Sequence, residues 1–65
     1  MKKGKYKAMK AIIVLDHKVS VPVQIMTNEY IIVVRKVMNG VLAHVSDRIV
    51  LIKEHQFNSF EKLHE

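Results

Sequence analysis

The sequence predicts a mainly β fold, either a small five-stranded SH3-like or Sm-like barrel or a curled antiparallel meander, with a short helical turn at the C-terminus. Two patterns carry this prediction. Every second residue from Val19 to Ile25 is β-branched and apolar, which is the period of two of a half-buried strand. Asn39-Gly40 separates the apolar runs Tyr30 to Met38 and Val41 to Val45, which is the strongest short-range signal for a two-residue type I′ hairpin.

Short turns divide the chain into the predicted elements. Asp16-His17-Lys18 and Ser46-Asp47 interrupt the apolar pattern with residues that favour turns. Pro22 cannot donate a hydrogen bond to a neighbouring strand, so its strand is predicted at an edge or beside a bulge. Asn58-Ser59-Phe60-Glu61 resembles a capping box and predicts the C-terminal helix. The five predicted strands are Ala8 to Leu15, Val19 to Met26, Tyr30 to Met38, Val41 to Val45 and Arg48 to Lys53.

The predicted hairpin brings basic side chains together at its tip. A turn at Asn39-Gly40 would pair Arg35 with His44 and Lys36 with Ala43. This register places Arg35 and His44 on one face and Lys36 on the other. A guanidinium and an imidazole together could grip a phosphate, although a solvated hairpin end is the simpler interpretation.

The distribution of charge predicts two parts of the chain. The 65 residues contain no cysteine and carry a formal net charge of +5, which indicates one domain without disulfides in a reducing cytoplasm. Five lysines and no acidic residue occur among the first ten residues, whereas the other fifty-five contain six basic and six acidic residues. We therefore expect a basic N-terminal arm over residues 1–7 and a neutral β domain over residues 8–65.

The lysine arm indicates a polyanionic partner. Each lysine that neutralises a phosphate releases counterions, so five contacts would give a log-log salt slope of about −4.5 on duplex DNA and a smaller one on single strands. Tyr6 lies among the lysines and could stack on a base. The competing interpretation is a disordered tail that aids solubility. The candidate nucleic-acid-binding residues are Lys2, Lys3, Lys5, Tyr6, Lys7, Lys10, Arg35, Lys36 and His44.

Other chemistry is not indicated. The four histidines lack the paired spacing of a zinc site, so no metal or other cofactor is predicted. No arrangement for nucleophilic or acid–base catalysis can be inferred, and the protein is predicted not to be an enzyme. The longest apolar stretches, Ala11 to Leu15 and Tyr30 to Val34, are far shorter than a membrane span, which predicts no membrane partner.

The order of features from Val19 to Phe60 is loosely similar to that of the bacterial Sm-like RNA chaperones. Val21-Pro22-Val23-Gln24-Ile25 followed by Asn28, and Leu51-Ile52-Lys53-Glu54-His55 before Ser59-Phe60, carry the similarity. The resemblance implies a ring of subunits that binds RNA. No glycine follows Asn28, residues 1–18 show no amphipathic helix, and KOW-type SH3 barrels have a comparable layout.

The leading hypothesis is a small basic accessory or regulatory module that binds nucleic acid, with RNA preferred over DNA because small barrels commonly bind single strands. The alternative is a protein-interaction module, such as a small phage-type or mobile-element inhibitor or adaptor. Such a module would bind an acidic surface of a host protein or use an exposed strand edge. A homo-oligomer joined through strand edges would cover stretches such as Ile49 to Ile52, which lack a polar face; the alternative is that the C-terminal turn with Phe57 and Phe60 covers them.

Overall fold

Seven antiparallel strands and one 3₁₀ helix make up the fold in the computed structural model, which describes residues 1–63. His64 and Glu65, at the end of the predicted domain, lie outside the described residues. The elements are β1 (Gly4–Ala8), β2 (Ile12–Asp16), β3 (Pro22–Ile25), β4 (Tyr30–Val37), β5 (Gly40–Val45), β6 (Arg48–Lys53), the 3₁₀ helix (Glu54–Ser59) and β7 (Phe60–Lys62). Hydrogen-bonded neighbours follow the order β3-β2-β6-β5-β4-β1-β7 in one sheet.

The sheet curls into a half-barrel, and two features bend it. β4 carries a bulge at Val34, where its pairing with β5 shifts by one residue. β2 pairs with β6 through Leu15 and Asp16, whereas residues 12–14, which precede them, do not pair with β6. The Gln56 side chain donates a hydrogen bond of 2.8 Å to the Ile13 carbonyl across the gap. The curl turns one face of each strand toward a common interior.

One hydrophobic core fills this concave interior. Its members alternate along the strands with outward-facing residues, as the period of two requires. The largest fully buried side chains are Ile25, Ile31, Val41, Val50 and Ile52. Tyr6, Ala8, Val14, Val33, Ala43, Val45 and Phe60 complete the cluster. The mainly β class is therefore confirmed, with seven strands in place of the five predicted.

The lysine-rich N-terminus contributes β1 to the sheet and is not a free arm. β1 pairs with β4 on one side and with β7 on the other. The reason is a period of two hidden among the lysines: Tyr6 and Ala8 point into the core, while Lys5 and Lys7 alternate with them and point outward. Burial of a phenol ring and a methyl group orders a segment whose composition is that of a solvated tail.

Two other boundaries differ from the sequence expectation. The predicted strand over residues 8–15 is two strands, β1 and β2, separated by a bend. The helix predicted to open at Asn58 is also wrong, because the 3₁₀ helix ends at Ser59 and β7 follows. Phe60 accounts for the difference: it is 8% exposed and pairs with Ala8 within the sheet. Burial of the ring outweighs a capping pattern that would leave it at the surface.

The hairpin between β4 and β5 is confirmed, but its register differs from the predicted one. Val37 pairs with Gly40, so Met38 and Asn39 form the two-residue loop. Neither loop residue has a positive φ, which excludes the predicted type I′ turn. Gly40 is needed for a different reason, since a Cβ at this position would overlap the backbone carbonyl oxygen of Ile52 on β6.

Two sequence expectations agree with the structure. β3, which begins at Pro22, lies at one edge of the sheet, as the missing N–H of proline indicated. β6 has the boundaries expected for it, from Arg48 to Lys53. No helix within residues 1–63 is long and apolar enough to cross a membrane.

Asp16, at the end of β2, organises the turn that leads into β3. Its carboxylate accepts hydrogen bonds from the backbone N–H groups of Lys18 at 2.8 Å and Val19 at 3.1 Å. Arg48 donates to the other carboxylate oxygen at 3.2 Å and forms an ion pair with it. The N–H of Val19 lowers the pKa of Asp16 below its ordinary value, assisted by the N–H of Lys18 and by Arg48 and opposed by burial of the carboxyl group.

Acidification is expected to remove the stabilisation that Asp16 provides. The pKa of Asp16 is lower in the folded chain than in the unfolded chain. Its contribution to stability is therefore complete at pH values above the pKa of the unfolded state, and it is lost as the pH falls through the pKa of the folded state. Asp16→Asn should therefore unfold at a lower temperature than the parent protein near neutral pH and at nearly the same temperature in strong acid. Thermal unfolding at a series of pH values measures this. A difference in Tm that stays constant down to strong acid would contradict it.

Candidate functional site

The convex side of the sheet carries side chains that the core does not use, and two rows of cross-strand neighbours run across it. The first row contains Lys5, Ile32, His44 and Ile49, from β1 to β6. The second row contains Arg35, Leu42, Leu51, Leu15 and Pro22, from β4 to β3. Lys7 and Tyr30 pair beside the first row. We call the surface formed by these residues the outer face.

Large apolar side chains are exposed on the outer face. Tyr30 is 54% exposed and Ile32 is 49% exposed, and they alternate along β4 with the buried Ile31 and Val33. Ile49, at the far end of the first row, is 39% exposed. Soluble proteins rarely leave large contiguous apolar patches open to water unless a ligand or a partner covers them. The outer face is therefore the candidate binding surface of the protein.

The outer face also carries positive charge. Lys53, which pairs with Gly40, and Glu61, which pairs with Lys7, lie on the same side of the sheet and belong to the outer face. Its strand positions then include four cationic side chains, Lys5, Lys7, Arg35 and Lys53, and one carboxylate, that of Glu61. Within residues 1–63 the one ion pair joins Arg48 to Asp16, so none of the four cations is paired with a carboxylate there. The surface thus combines apolar area with an unneutralised positive field.

Tyr30 and Lys5 make the best-defined contact of the outer face. The Lys5 ammonium nitrogen lies 4.7 Å from the centroid of the Tyr30 ring, within the range of a cation–π interaction. Lys7 pairs with Tyr30 across the ladder, so a second lysine side chain starts beside the ring. Lys5 contacts one side of the ring, and more than half of the Tyr30 surface remains exposed. A flat aromatic surface beside two lysines can receive a base and its phosphates.

Tyr6 is not available for the base stacking predicted for it. Its side chain belongs to the core, and its hydroxyl donates a hydrogen bond of 2.7 Å to the Lys2 carbonyl. Lys62 of β7 crosses this end of the sheet, with its ammonium nitrogen 5.2 Å from the Tyr6 ring centroid and 3.0 Å from the Lys3 carbonyl oxygen. The exposed tyrosine is Tyr30, which sequence reasoning missed. Its position at the start of an alternating run, one residue before a core isoleucine, was the signal that could have found it.

The other predicted site residues are divided between surfaces. Arg35 and His44 share the outer face but are not direct partners, because the shifted hairpin pairs Arg35 with Leu42. Lys36 pairs with Val41 on the core side of the sheet and is exposed at its rim. Exposed positions at the two ends of β1 hold Lys2, Lys3 and Lys10. The structure therefore brings together Lys5, Lys7, Arg35 and His44 on the outer face and separates Lys36 from them.

The edge strand β3 offers few hydrogen-bond donors to another strand. Every second residue along this edge, beginning with Val21, directs its backbone N–H and C=O groups toward β2, and the Val21 carbonyl accepts a hydrogen bond from the Asp16 N–H. The backbone groups of the residues between them, Pro22, Gln24 and Met26, point away from the sheet. Pro22 has no N–H, and the Met26 N–H donates to the Glu29 carboxylate at 2.7 Å. Of these three residues, only Gln24 keeps an outward donor.

The opposite edge, β7, is short and is protected in a similar way. The Ser59 carbonyl accepts a hydrogen bond from the Met9 N–H, and the Leu63 N–H donates to the Lys5 carbonyl. The backbone groups of Phe60 and Lys62, which alternate with these bonded residues, therefore point away from the sheet. The Phe60 N–H donates to the Phe57 carbonyl of the 3₁₀ helix, so Lys62 keeps the one outward donor of this strand. Both edges thus disfavour addition of a further strand.

Removal of both protections on β3 is expected to make the protein self-associate. Pro22→Val combined with Glu29→Ala frees two outward N–H groups, so a second strand can pair along the whole edge. Sedimentation velocity should then show larger species than the parent protein forms at the same concentrations. Gln24→Val is the matched control, because it adds a β-branched side chain to the same edge without adding a donor. Equal sedimentation of the double variant and this control would rule out the protective role of these residues.

An open groove lies at one end of the half-barrel, between the turn after β2 and the turn after β5. Its lining includes His17, Lys18, Asp47 and Arg48. Its buried carboxylate, Asp16, already accepts three hydrogen bonds, and every buried side-chain nitrogen or oxygen of residues 1–63 has a partner. Within residues 1–63, no three or more His, Asp or Glu side chains lie close enough together to hold a metal ion. The groove therefore presents no unsatisfied group that calls for a ligand.

Comparisons of the chain with protein-family models, with curated proteins and with solved structures found no significant match. The functional inference consequently depends on the chemistry of the outer face.

Proposed function

We propose that the protein is a small accessory module that binds single-stranded nucleic acid on its outer face, with RNA preferred over DNA. One observation carries the proposal: cations that pair with no carboxylate of residues 1–63, an exposed aromatic ring and exposed apolar side chains occupy the same surface. A single strand has the complementary chemistry, with phosphates along its backbone and unstacked bases beside them. Lys5 and Lys7 would contact phosphates, and Tyr30 and Ile32 would contact a base.

A single strand complements this surface better than a duplex does. Bases in a duplex are stacked inside the helix, and a protein reads them by inserting an element into a groove. Within residues 1–63 the outer face is formed by strands of the sheet, and a duplex would leave Tyr30 and Ile32 without an apolar partner. RNA presents its bases to proteins mainly in unpaired loops and ends, where they can stack on aromatic side chains, which supports the preference for RNA.

A protein-interaction module is the second candidate, and the protected edges restrict how it would work. Because β3 and β7 each keep a single outward donor, a protein would dock on the outer face and would not add a strand. The positive, apolar surface would select a partner rich in carboxylates and apolar side chains. A small inhibitor or adaptor would act in this way.

Fluorescence anisotropy with a labelled, unstructured RNA of about twelve nucleotides tests the first function. We expect micromolar binding at low salt, with a log-log salt slope of about −2 if three cations contact phosphates. The same sequence annealed into a duplex should bind more weakly. Absence of micromolar binding to either form at low salt would reject the nucleic-acid function and favour the protein partner.

A further inference from the structure

His44 gives the outer face a second flat side chain. It pairs with Ile32 of β4 on one side and with Ile49 of β6 on the other, in the middle of the first row. The residue is exposed, and no side-chain hydrogen bond within residues 1–63 engages its imidazole. An exposed imidazole between two apolar neighbours has a ring face that a base can stack on.

Tyr30 and His44 are diagonal neighbours on the same face. Tyr30 is two residues before Ile32 on β4, so it projects from the same side at a distance of about 6.8 Å along the strand. Because His44 lies opposite Ile32, the side chains of Tyr30 and His44 originate about 7–8 Å apart. This spacing accommodates two bases side by side, one on each ring, with Ile32 as the apolar surface between them.

The neighbouring strand supplies cations at matching positions. Lys5 pairs with Ile32 on the side away from His44, and its ammonium group lies against Tyr30. Lys7 pairs with Tyr30 one step further along the ladder. The two lysines are therefore about 6.8 Å apart along β1, and both lie beside Tyr30.

We infer that the outer face holds two consecutive unpaired nucleotides, with one base on Tyr30, the next on His44 and a phosphate beside the base on Tyr30 at Lys5. The inference rests on the proposed function and specifies its minimal ligand as a dinucleotide. Stacking on two rings tolerates any base, because every base has a π-face, so the site recognises single-strandedness ahead of sequence. Lys7 contacts the phosphate beyond the base on Tyr30.

Tyrosine fluorescence reports on this arrangement. The chain has two tyrosines and no tryptophan, and Tyr30 is exposed whereas Tyr6 is buried. Titration with oligouridylates of increasing length should quench the emission, with a steep rise in affinity from one nucleotide to two and a shallow rise beyond. An even increase in affinity with each added nucleotide would overturn the dinucleotide site.

Substitution of His44 separates this inference from the proposed function. His44→Ala should weaken binding of an oligouridylate about tenfold, and His44→Phe should restore it, because a phenyl ring stacks without contributing charge. His17→Ala, which removes an exposed histidine from the turn after β2, should bind like the parent protein. Unchanged affinity of His44→Ala, or failure of His44→Phe to restore binding, would overturn the second stacking position while the single-strand function stands. If the parent protein binds no oligouridylate, both proposals fail.

Discussion

Replacement of Lys5 and Lys7 together by glutamine is expected to weaken binding of single-stranded RNA about 25-fold at about 0.1 M salt. Each phosphate contact on a single strand contributes about 0.7 to the log-log salt slope, so two lost contacts reduce the slope by about 1.4. Neither lysine forms an ion pair within residues 1–63, so the fold should lose little beyond the contact of Lys5 with Tyr30. Anisotropy titrations at several salt concentrations measure the affinity and the slope together.

The matched control removes the same charge from elsewhere on the surface. Lys18 is exposed in the turn after β2, and Lys36 is exposed on the core side of the hairpin. Lys18→Gln with Lys36→Gln should therefore bind within about twofold of the parent protein, because local field and not total charge determines contact strength. Equal weakening by the two double variants would mean that binding follows net charge, and the outer face would lose its special role.

Gly40→Ala is expected to destabilise the fold by about 2 kcal/mol and to lower the Tm by about 8–16 °C. The added methyl group would overlap the carbonyl oxygen of Ile52 and press against the backbone of Lys53. Both atoms belong to β6, so they cannot move aside without disturbing its ladder with β5. A domain of 65 residues has only a few kcal/mol of stability to lose, and thermal unfolding followed by circular dichroism measures the shift.

Asn39→Ala is the control for this substitution, one residue earlier in the same hairpin. Asn39 is exposed in the loop, and its backbone carbonyl, which the substitution retains, accepts the hydrogen bond from the Glu54 N–H. Its free energy of unfolding should change by less than about 0.5 kcal/mol. If both variants unfold at the same temperature as the parent protein, close approach of β5 and β6 at Gly40 is not a requirement of the fold.

Local signals in the sequence were sufficient to predict the middle of the sheet. β-branched runs and the polar turn at Ser46-Asp47 locate β4, β5 and β6, and Pro22 identifies an edge strand. The predicted hairpin register was wrong because Asn-Gly is the favoured pair for a two-residue turn, so the prediction placed both Asn39 and Gly40 in the loop. Gly40 instead begins β5. A side chain at this position would collide with the backbone of β6, which begins eight residues later in the sequence.

The ends of the chain could not be predicted from local pattern. In β1 the lysines mask a period of two that involves only Tyr6 and Ala8, and the burial of these residues depends on β4 and β7, which are distant in sequence. Prediction of the candidate site from the sequence was limited for the same reason. The lysines were correctly identified as the source of surplus charge, whereas their alignment with Tyr30 depends on cross-strand register, which composition does not contain.

Backbone and side-chain NMR shifts during titration with a single-stranded RNA show where on the protein the nucleic acid binds. If it binds on the outer face as proposed, the largest perturbations fall at Lys5, Lys7, Tyr30, Ile32 and His44, with little change in the groove around His17 and Arg48. Perturbations centred on that groove, or confined to the exposed ends of β1 without effect on Tyr30, would contradict the proposal.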